Sequence, residues 1–387
     1  MKKRILLING CLDSGGVAKS FVTLLNVIDK VNYDIHILIL SSVRGPFASY
    51  LPSDITIHYD ERIEGLVDGI AGLKNLLRKA HFYLALLSIV RMLLSKINKS
   101  AAGVFLARLM PRLDLGEFDV AVDYGGQHLL YYMVNKVESK RKVSYFHADY
   151  LSWNYYYSAD KKYLKKVDQV VVITEICKRS ILQFFPFLEG KISIIENIVL
   201  PSILESQSKL PFPEQDFFLN HFVLVTVGHV SDKKGFDLAL GAAGILKQRG
   251  IDFQWVFIGS YEKVHIKFVK NKRLENCVHF YGIKENPYPY MKYAQIVIHP
   301  SRYESQAIVV SEAKILCRPI IVTRFSTVPD ILLEGINASV CEMNAQSLAD
   351  SIETLIAHPE IRKQYQNYLE KHIVDNSSEI NKFYNLF

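Results

Sequence analysis

No run of this chain approaches the ~18–20 consecutive apolar residues of a membrane-spanning helix. Its five cysteines, Cys11, Cys177, Cys277, Cys317 and Cys341, lie far apart, form no Cys-x-x-Cys pair and are odd in number. That spacing argues against a disulfide framework or a zinc site and fits free thiols in a reducing cytoplasm. There is no Asp-x-Asp and no His/Cys ligand cluster that would announce a metal. The start "MKKRILLINGC" mimics a lipoprotein signal, but its apolar run, Ile5 to Ile8, is far short of the ~7–15 residues of a signal core. "RILLIN" reads better as a first β-strand. Two phosphate motifs are also missing. "GCLDSGGVAKS", Gly10 to Ser20, lacks the contiguous Gly-Lys-Ser/Thr of a P-loop, and no Gly-x-Gly-x-x-Gly occurs.

What is present is a chain of 387 residues, 49% hydrophobic and 22% charged. That is too long for one ordinary core and suits two domains of roughly 150–200 residues. The net charge of +7 suggests anionic partners. Strand and helix signals alternate along both halves. "RILLIN", "YDIHILIL", "FDVAVDY", "KVSYFH" and "QVVVIT" are short apolar runs in the first half. "HFVLVTVG", "FQWVFIG", "VHFYG", "IVIHP" and "PIIVT" are their counterparts in the second. Such strands are buried on both faces and separated by helices, the pattern of parallel, doubly wound sheets. The reading is α/β, with two Rossmann-like parallel-sheet domains. The first is expected over 1–200 and the second over 201–372. A Pro- and Ser-rich linker is expected between Asn197 and Asn220.

Acid is absent from one long stretch. Residues 69–113 carry eight basic side chains, Lys74, Arg78, Lys79, Arg91, Lys96, Lys99, Arg108 and Arg112, and no Asp or Glu. "FYLALLSIVRMLL" lies among them. The region reads as a basic amphipathic helical insert suited to an anionic membrane surface, ahead of the plainer alternative of helices with solvated cations.

Three further stretches carry chemistry. Gly15 and Gly16 sit between a strand and a helix, where backbone can approach a ligand and free N–H groups face an anion; a tight turn with positive φ is equally consistent. In "VGHVSDKKGFDLAL", Lys233 and Lys234 stand at a strand-to-helix switch with His229 close by, the position where open α/β sheets bind ligands. In "YESQAIVVSEA", Glu304 and Glu312 bracket an apolar run. Both on one helix, they would be about 12 Å apart along the axis, too far for a glycosidase carboxyl pair. Two separated acceptors suit a long, hydroxyl-rich ligand, with a phosphate at the helix N-terminus near Gln306 and Ala307.

"HPSRYESQAIVVSEAKILCRPIIVT" resembles the signature of retaining glycosyltransferase family 4, the group 1 glycosyltransferases of GT-B fold. "VGHVSDKKGFDLAL" is similar to that family's Gly-Arg…Lys-Gly element, and "GCLDSGGVAKSF" to its N-terminal glycine loop. The details "HADY", "EAKILCRPIIVT" and "STVPDILLEGINASV" most resemble bacterial capsule, exopolysaccharide or O-antigen transferases.

The resemblance implies two sheet domains facing a central cleft, with the last residues, 373–387, packing back on the first domain. It implies a retaining, metal-independent transferase of hexosyl or N-acetylhexosaminyl type. Such an enzyme moves a sugar from a nucleotide-diphosphate donor to a glycan or polyprenyl-diphosphate-linked acceptor, in the cytoplasm and peripheral on the inner face of the cell membrane. Glu312 would hold the ribose hydroxyls, Glu304 would sit near the donor sugar and diphosphate, and Lys234 would neutralise the leaving diphosphate. Gly15 and Gly16 would line the phosphate side, and His147 would approach the donor sugar. Apart from the resemblance, Asp149 and Trp153, in the aromatic stretch after His147, read as acceptor-side contacts, with plain packing an equal alternative for the aromatics. One departure stands out: His229 occupies the place of the family's arginine, and an imidazole lacks the guanidinium fork. The rival readings are an enzyme of this fold with a soluble acceptor and a non-catalytic nucleotide-sugar-binding subunit. No motif supports nucleic-acid binding.

Overall fold

The computed structural model describes residues 2–12, 15–41, 45–152 and 154–387. It divides into two units, one formed by Met1–Ile198 with Ser377–Phe387 and the other by Val199–Asn376. Each unit is a parallel sheet covered by helices.

The first sheet comprises β1 (Lys3–Asn9), β2 (Tyr33–Ile39), β3 (Thr56–Tyr59), β4 (Phe118–Asp123), β5 (Ser139–Phe146), β6 (Gln169–Val172) and β7 (Ile192–Ile194). They lie in the order β3-β2-β1-β4-β5-β6-β7, and every pairing is parallel. The central strand β1 has Ile5, Leu6, Leu7 and Ile8 fully buried. It reads as an unbroken apolar run because helices cover both of its faces. The Gly16–Val27 helix after β1 buries Phe21, Leu24 and Leu25, and Ile28, next along that stripe, is buried at its C-cap.

Residues 377–387 complete this unit. Tyr384 stacks on Tyr33 with ring centroids 5.4 Å apart, its hydroxyl accepts from the Asp29 N–H at 2.7 Å, and Glu379 accepts from the Glu196 N–H at 3.0 Å.

The second sheet comprises β8 (Val223–Val227), β9 (Gln254–Ile258), β10 (Val278–Gly282), β11 (Ile296–His299), β12 (Ile320–Thr323) and β13 (Ser339–Cys341). Their order is β10-β9-β8-β11-β12-β13, again all parallel. The strand order reverses direction beside β8, between its crossovers to β9 and β11. That places a topological switch point at the carboxyl ends of β8 and β11, where such sheets take ligands.

Two expectations change here. The stretch 201–220 is not a loose linker. Pro201 opens a helix, Pro201–Ser208, and a second runs Gln215–Asn220. Proline at a first helical position costs nothing, since its missing N–H would be unpaired there anyway. Leu204 of the first helix is buried with Val199 and Ile315 in the second unit. Glu304, moreover, does not lie on a helix. The helix runs Ile308–Ile315 with Ala307 as its N-cap, so Glu304 belongs to the preceding loop and the axial separation from Glu312 does not apply.

The basic stretch is helical, over Gly69–Arg78, Phe82–Ile97 and Lys99–Leu109. Among the described residues no helix is long and apolar enough to cross a membrane.

Candidate functional site: the loops after β8 and β11

The loop after β8 is shaped by close backbone approaches. Gly228 leads into it at φ +143, and Gly259, after β9, sits so near that a Cβ on it would overlap the Gly228 carbonyl oxygen. His229 is exposed, and its Nδ1 lies 2.7 Å from Ser260 Oγ. A turn follows, closed by Lys234 N–H to Ser231 O at 3.0 Å. It ends at Gly235, which adopts the left-handed conformation (φ +70) as the N-cap of the Phe236–Gln248 helix. A Cβ on Gly235 would overlap the Pro300 carbonyl oxygen. Only glycine lets the loops after β8 and β11 touch at this point.

Two further contacts fasten them. Arg302 N–H donates to Lys233 O at 3.0 Å, and the Arg302 guanidinium grips both Asp237 oxygens at 2.6 and 2.5 Å, the bidentate geometry that planar guanidinium favours.

This apposition delivers Lys234 to Glu304. Glu304 Oε1 accepts from Lys234 Nζ at 2.5 Å and from His299 Nε2 at 2.8 Å. His299, at the end of β11, is only 2% exposed. Burial alone would raise the pKa of Glu304, but the charges and hydrogen bonds of His299 and Lys234 outweigh it and hold the carboxyl far below the usual range. Glu304 is therefore an ionised acceptor and not a proton donor at neutral pH. A small, partly open pocket lies beside it, lined by Gly228, His229, Lys234, Phe236, His299 and Ser301 among others.

Of the other expected residues in this unit, Lys233 is exposed, its ammonium 5.2 Å from the centre of the Tyr303 ring. Gln306 is buried. Ala307 adopts a left-handed conformation (φ 49) and its carbonyl accepts from the Val310 N–H at 2.7 Å. Glu312, 1% exposed, accepts from the Tyr288 hydroxyl at 3.4 Å. The structure thus joins Lys234 to Glu304 and places His229 in the same pocket wall, while Glu312 is held separately by the helix Tyr288–Tyr293.

His299, Tyr288 and Arg302 were not foreseen. A histidine ending an apolar strand five residues before an acid was the available signal for His299.

In the first unit, Gly15 has φ +98 with open space around it, and Gly16 begins the helix it caps. His147 packs on the Tyr124 ring at 4.6 Å and near Tyr145 at 5.5 Å. Both its ring nitrogens are sealed from solvent. Burial, only partly offset by the Asn197 side chain, lowers its pKa to about 3, so the imidazole is neutral.

Asp149 lies in the turn after β5. It is 4% exposed and accepts from the Leu151 N–H at 3.0 Å and from the Ser180 hydroxyl. It braces the turn after β5. Trp153 lies outside the described residues. Tyr150 donates to Asp160 at 2.7 Å in the core, and Tyr155 and Tyr157 are exposed. Among the described residues no group of three His, Cys, Asp or Glu could hold a metal ion.

These two parallel-sheet units define the GT-B class of glycosyltransferase folds. A crystal structure from Anabaena, Alr3699/HepE in complex with UDP and glucose, superposes with a TM-score of 0.73 over 99% of this chain and 98% of that one, at 15% identity. Residues 209–372, nearly all of the second unit, match the family described as glycosyl transferases group 1.

Relatives in sequence agree. An uncharacterized glycosyltransferase of Methanocaldococcus jannaschii is 23% identical over 63% of this chain and 67% of its own length. A poly(ribitol-phosphate) alpha-N-acetylglucosaminyltransferase of Staphylococcus aureus is 25% identical over 57% of this chain and 44% of its own. The chain therefore spans less than half of the staphylococcal protein.

Proposed function

We propose that the chain transfers a sugar from a nucleotide-diphosphate donor to a glycan or lipid-linked acceptor, with retention at the anomeric carbon. The observation that carries this reading is the Lys234–Glu304–His299 cluster beside the His229 pocket, at the switch point of a group 1 glycosyltransferase domain.

In this reading Glu312 accepts from the ribose hydroxyls. Glu304, ionised, accepts from a donor-sugar hydroxyl and faces the positive charge that develops at the anomeric carbon. Lys234, His229, Lys233 and loop amides near Gln306 and Ala307 take the negative charge of the leaving diphosphate, in place of a metal ion. Gly15 and Gly16 serve the phosphate side, and His147 backs the donor-sugar side as a neutral, buried imidazole. The bond from the anomeric carbon to the diphosphate oxygen breaks. The acceptor hydroxyl bonds to that carbon from the same face and passes its proton to the departing phosphate oxygen.

A hexosyl or N-acetylhexosaminyl donor, an acceptor from capsule, exopolysaccharide or O-antigen synthesis, and a cytoplasmic site peripheral to the membrane through residues 69–113 complete the reading.

A thermal-shift screen of the full chain against UDP, GDP, CMP and their common sugars tests it, starting from UDP-glucose. One base should stabilise the protein by about 2.7 kcal/mol at a hundredfold excess over Kd, and Glu312→Ala should remove the shift. No response to any nucleotide, or an undiminished response in Glu312→Ala, would overturn the assignment.

A further inference from the structure

The Phe82–Ile97 helix faces the wrong way for a soluble surface. Its outward residues include Phe82 (66% exposed), Tyr83 (72%), Leu86 (59%), Val90 (44%), Leu93 (58%) and Ile97 (86%). Steps of three and four residues put them on one stripe, about 22 Å long at 1.5 Å per residue. The side turned to the protein carries Ala85 and Ser88, both buried. Most of the bulky apolar groups thus point out, while Leu84 packs inward with the small ones. Ile70 and Leu77 of the preceding helix, 68% and 47% exposed, add to the apolar surface. A patch of this kind marks an interaction face rather than a solvated one.

Charge indicates the partner. Among the cations of 69–113, Lys79 pairs with Glu61 and Arg112 with Glu138, both acids from outside the stretch. Lys99 lies 4.0 Å over the Tyr155 ring. Arg91 is half-buried, and burial holds its guanidinium below the usual range. Lys74, Arg78, Lys96 and Arg108 remain exposed. An apolar stripe with four such cations and no acid in the stretch matches the chemistry of an anionic bilayer interface.

We propose that this helix inserts its Phe82–Ile97 apolar stripe into an anionic lipid surface, with Lys74, Arg78 and Lys96 meeting the headgroups. Apolar insertion is the main holding force and charge the minor one. The inference rests on the membrane-side part of the proposed function and is independent of the donor pocket.

Co-sedimentation of the full chain with phosphatidylcholine vesicles, with and without an equal part of phosphatidylglycerol, tests it. The wild type should bind anionic vesicles and lose less than about tenfold in partition between about 0.1 M and 1 M NaCl, where the screening length falls from about 10 Å to 3 Å. The double variant Leu86→Glu/Leu93→Glu, altered only at exposed positions, should lose at least about tenfold at both salts. The triple variant Lys74→Gln/Arg78→Gln/Lys96→Gln should lose its preference for anionic over neutral vesicles and keep most of its binding.

Wild-type binding by the double glutamate variant, or complete release of the wild type at high salt, would overturn the proposal. So would a dimer that this variant converts to monomer while neither protein binds vesicles; the stripe would then cover a second copy. The nucleotide thermal shift of the double variant should equal that of the wild type. Vesicle binding without any nucleotide response would sink the donor reading and leave this one standing.

Discussion

Gly235 and Gly250 flank the same helix at almost the same backbone angle, φ +70 and +71, yet differ in what surrounds them. Alanine at either position must adopt a left-handed conformation, which costs about 1–2 kcal/mol. At Gly250 nothing lies within 4 Å of the added Cβ, so Gly250→Ala should lose about that amount and no more. At Gly235 the Cβ overlaps the Pro300 carbonyl oxygen. Backbone must then move, and a further 2–3 kcal/mol is expected from that steric conflict, on the order of other overpacked sites. The displacement also parts Lys234 from Glu304 and loosens the Arg302–Asp237 clasp. Urea denaturation of both variants gives the stability difference, and calorimetric titration with whichever nucleotide sugar the thermal-shift screen selects gives the affinity. Gly250→Ala should bind the donor like the wild type, while Gly235→Ala should lose binding by tenfold or more, about 1.4 kcal/mol. Equal losses of stability in the two variants, with donor affinity intact in Gly235→Ala, would refute the claim that a glycine-only contact assembles this pocket.

Two further outcomes are expected. Glu304→Gln removes a charge that holds two donors, so stability should fall by about 2–4 kcal/mol. Turnover should fall at least about a hundredfold, and pairing it with Lys234→Met in a double-mutant cycle should reveal a coupling of about 1 kcal/mol; a coupling of zero would mean the pair is not formed in solution. His147, with its pKa lowered from 6.5 to about 3, binds a proton in the unfolded chain but not in the folded one between those values. Stability is therefore complete above pH 6.5 and drains as pH falls toward 3, by about 2 kcal/mol between pH 6.5 and 5. His128, lowered to about 4 by burial and Arg91, acts in the same direction. His147→Asn should flatten the slope of urea midpoint against pH, and an unchanged slope would show that the imidazole is solvated.

Much of the architecture was legible because parallel strands covered on both faces must be apolar throughout, as in "RILLIN" and "HFVLVTVG". Their spatial order was not, since sheet order depends on which crossovers pack and not on any one strand. Residues 201–220 misled because proline and serine read as linker, whereas Pro201 at a first helical turn starts a helix and Leu204 supplies its buried contact. Glu304 and Glu312 were visible as chemistry-bearing acids, but the left-handed residue Ala307, which delays the helix to Ile308, left no mark in composition. His299 was hidden for the reason that buried histidines generally are: in an apolar strand it looks like a packing residue. The cationic character of 69–113 was plain, while the neutralisation of Lys79 and Arg112 was not, because Glu61 and Glu138 lie outside that stretch.

The aromatic tail has a consequence for how the chain is made and divided. Tyr384 leans on Tyr33, and Glu379 receives the Glu196 amide, so the half that leaves the ribosome first is the last to be finished. A fragment cut after Ile198 would lack its own closing piece, and a single scission cannot yield two whole bodies.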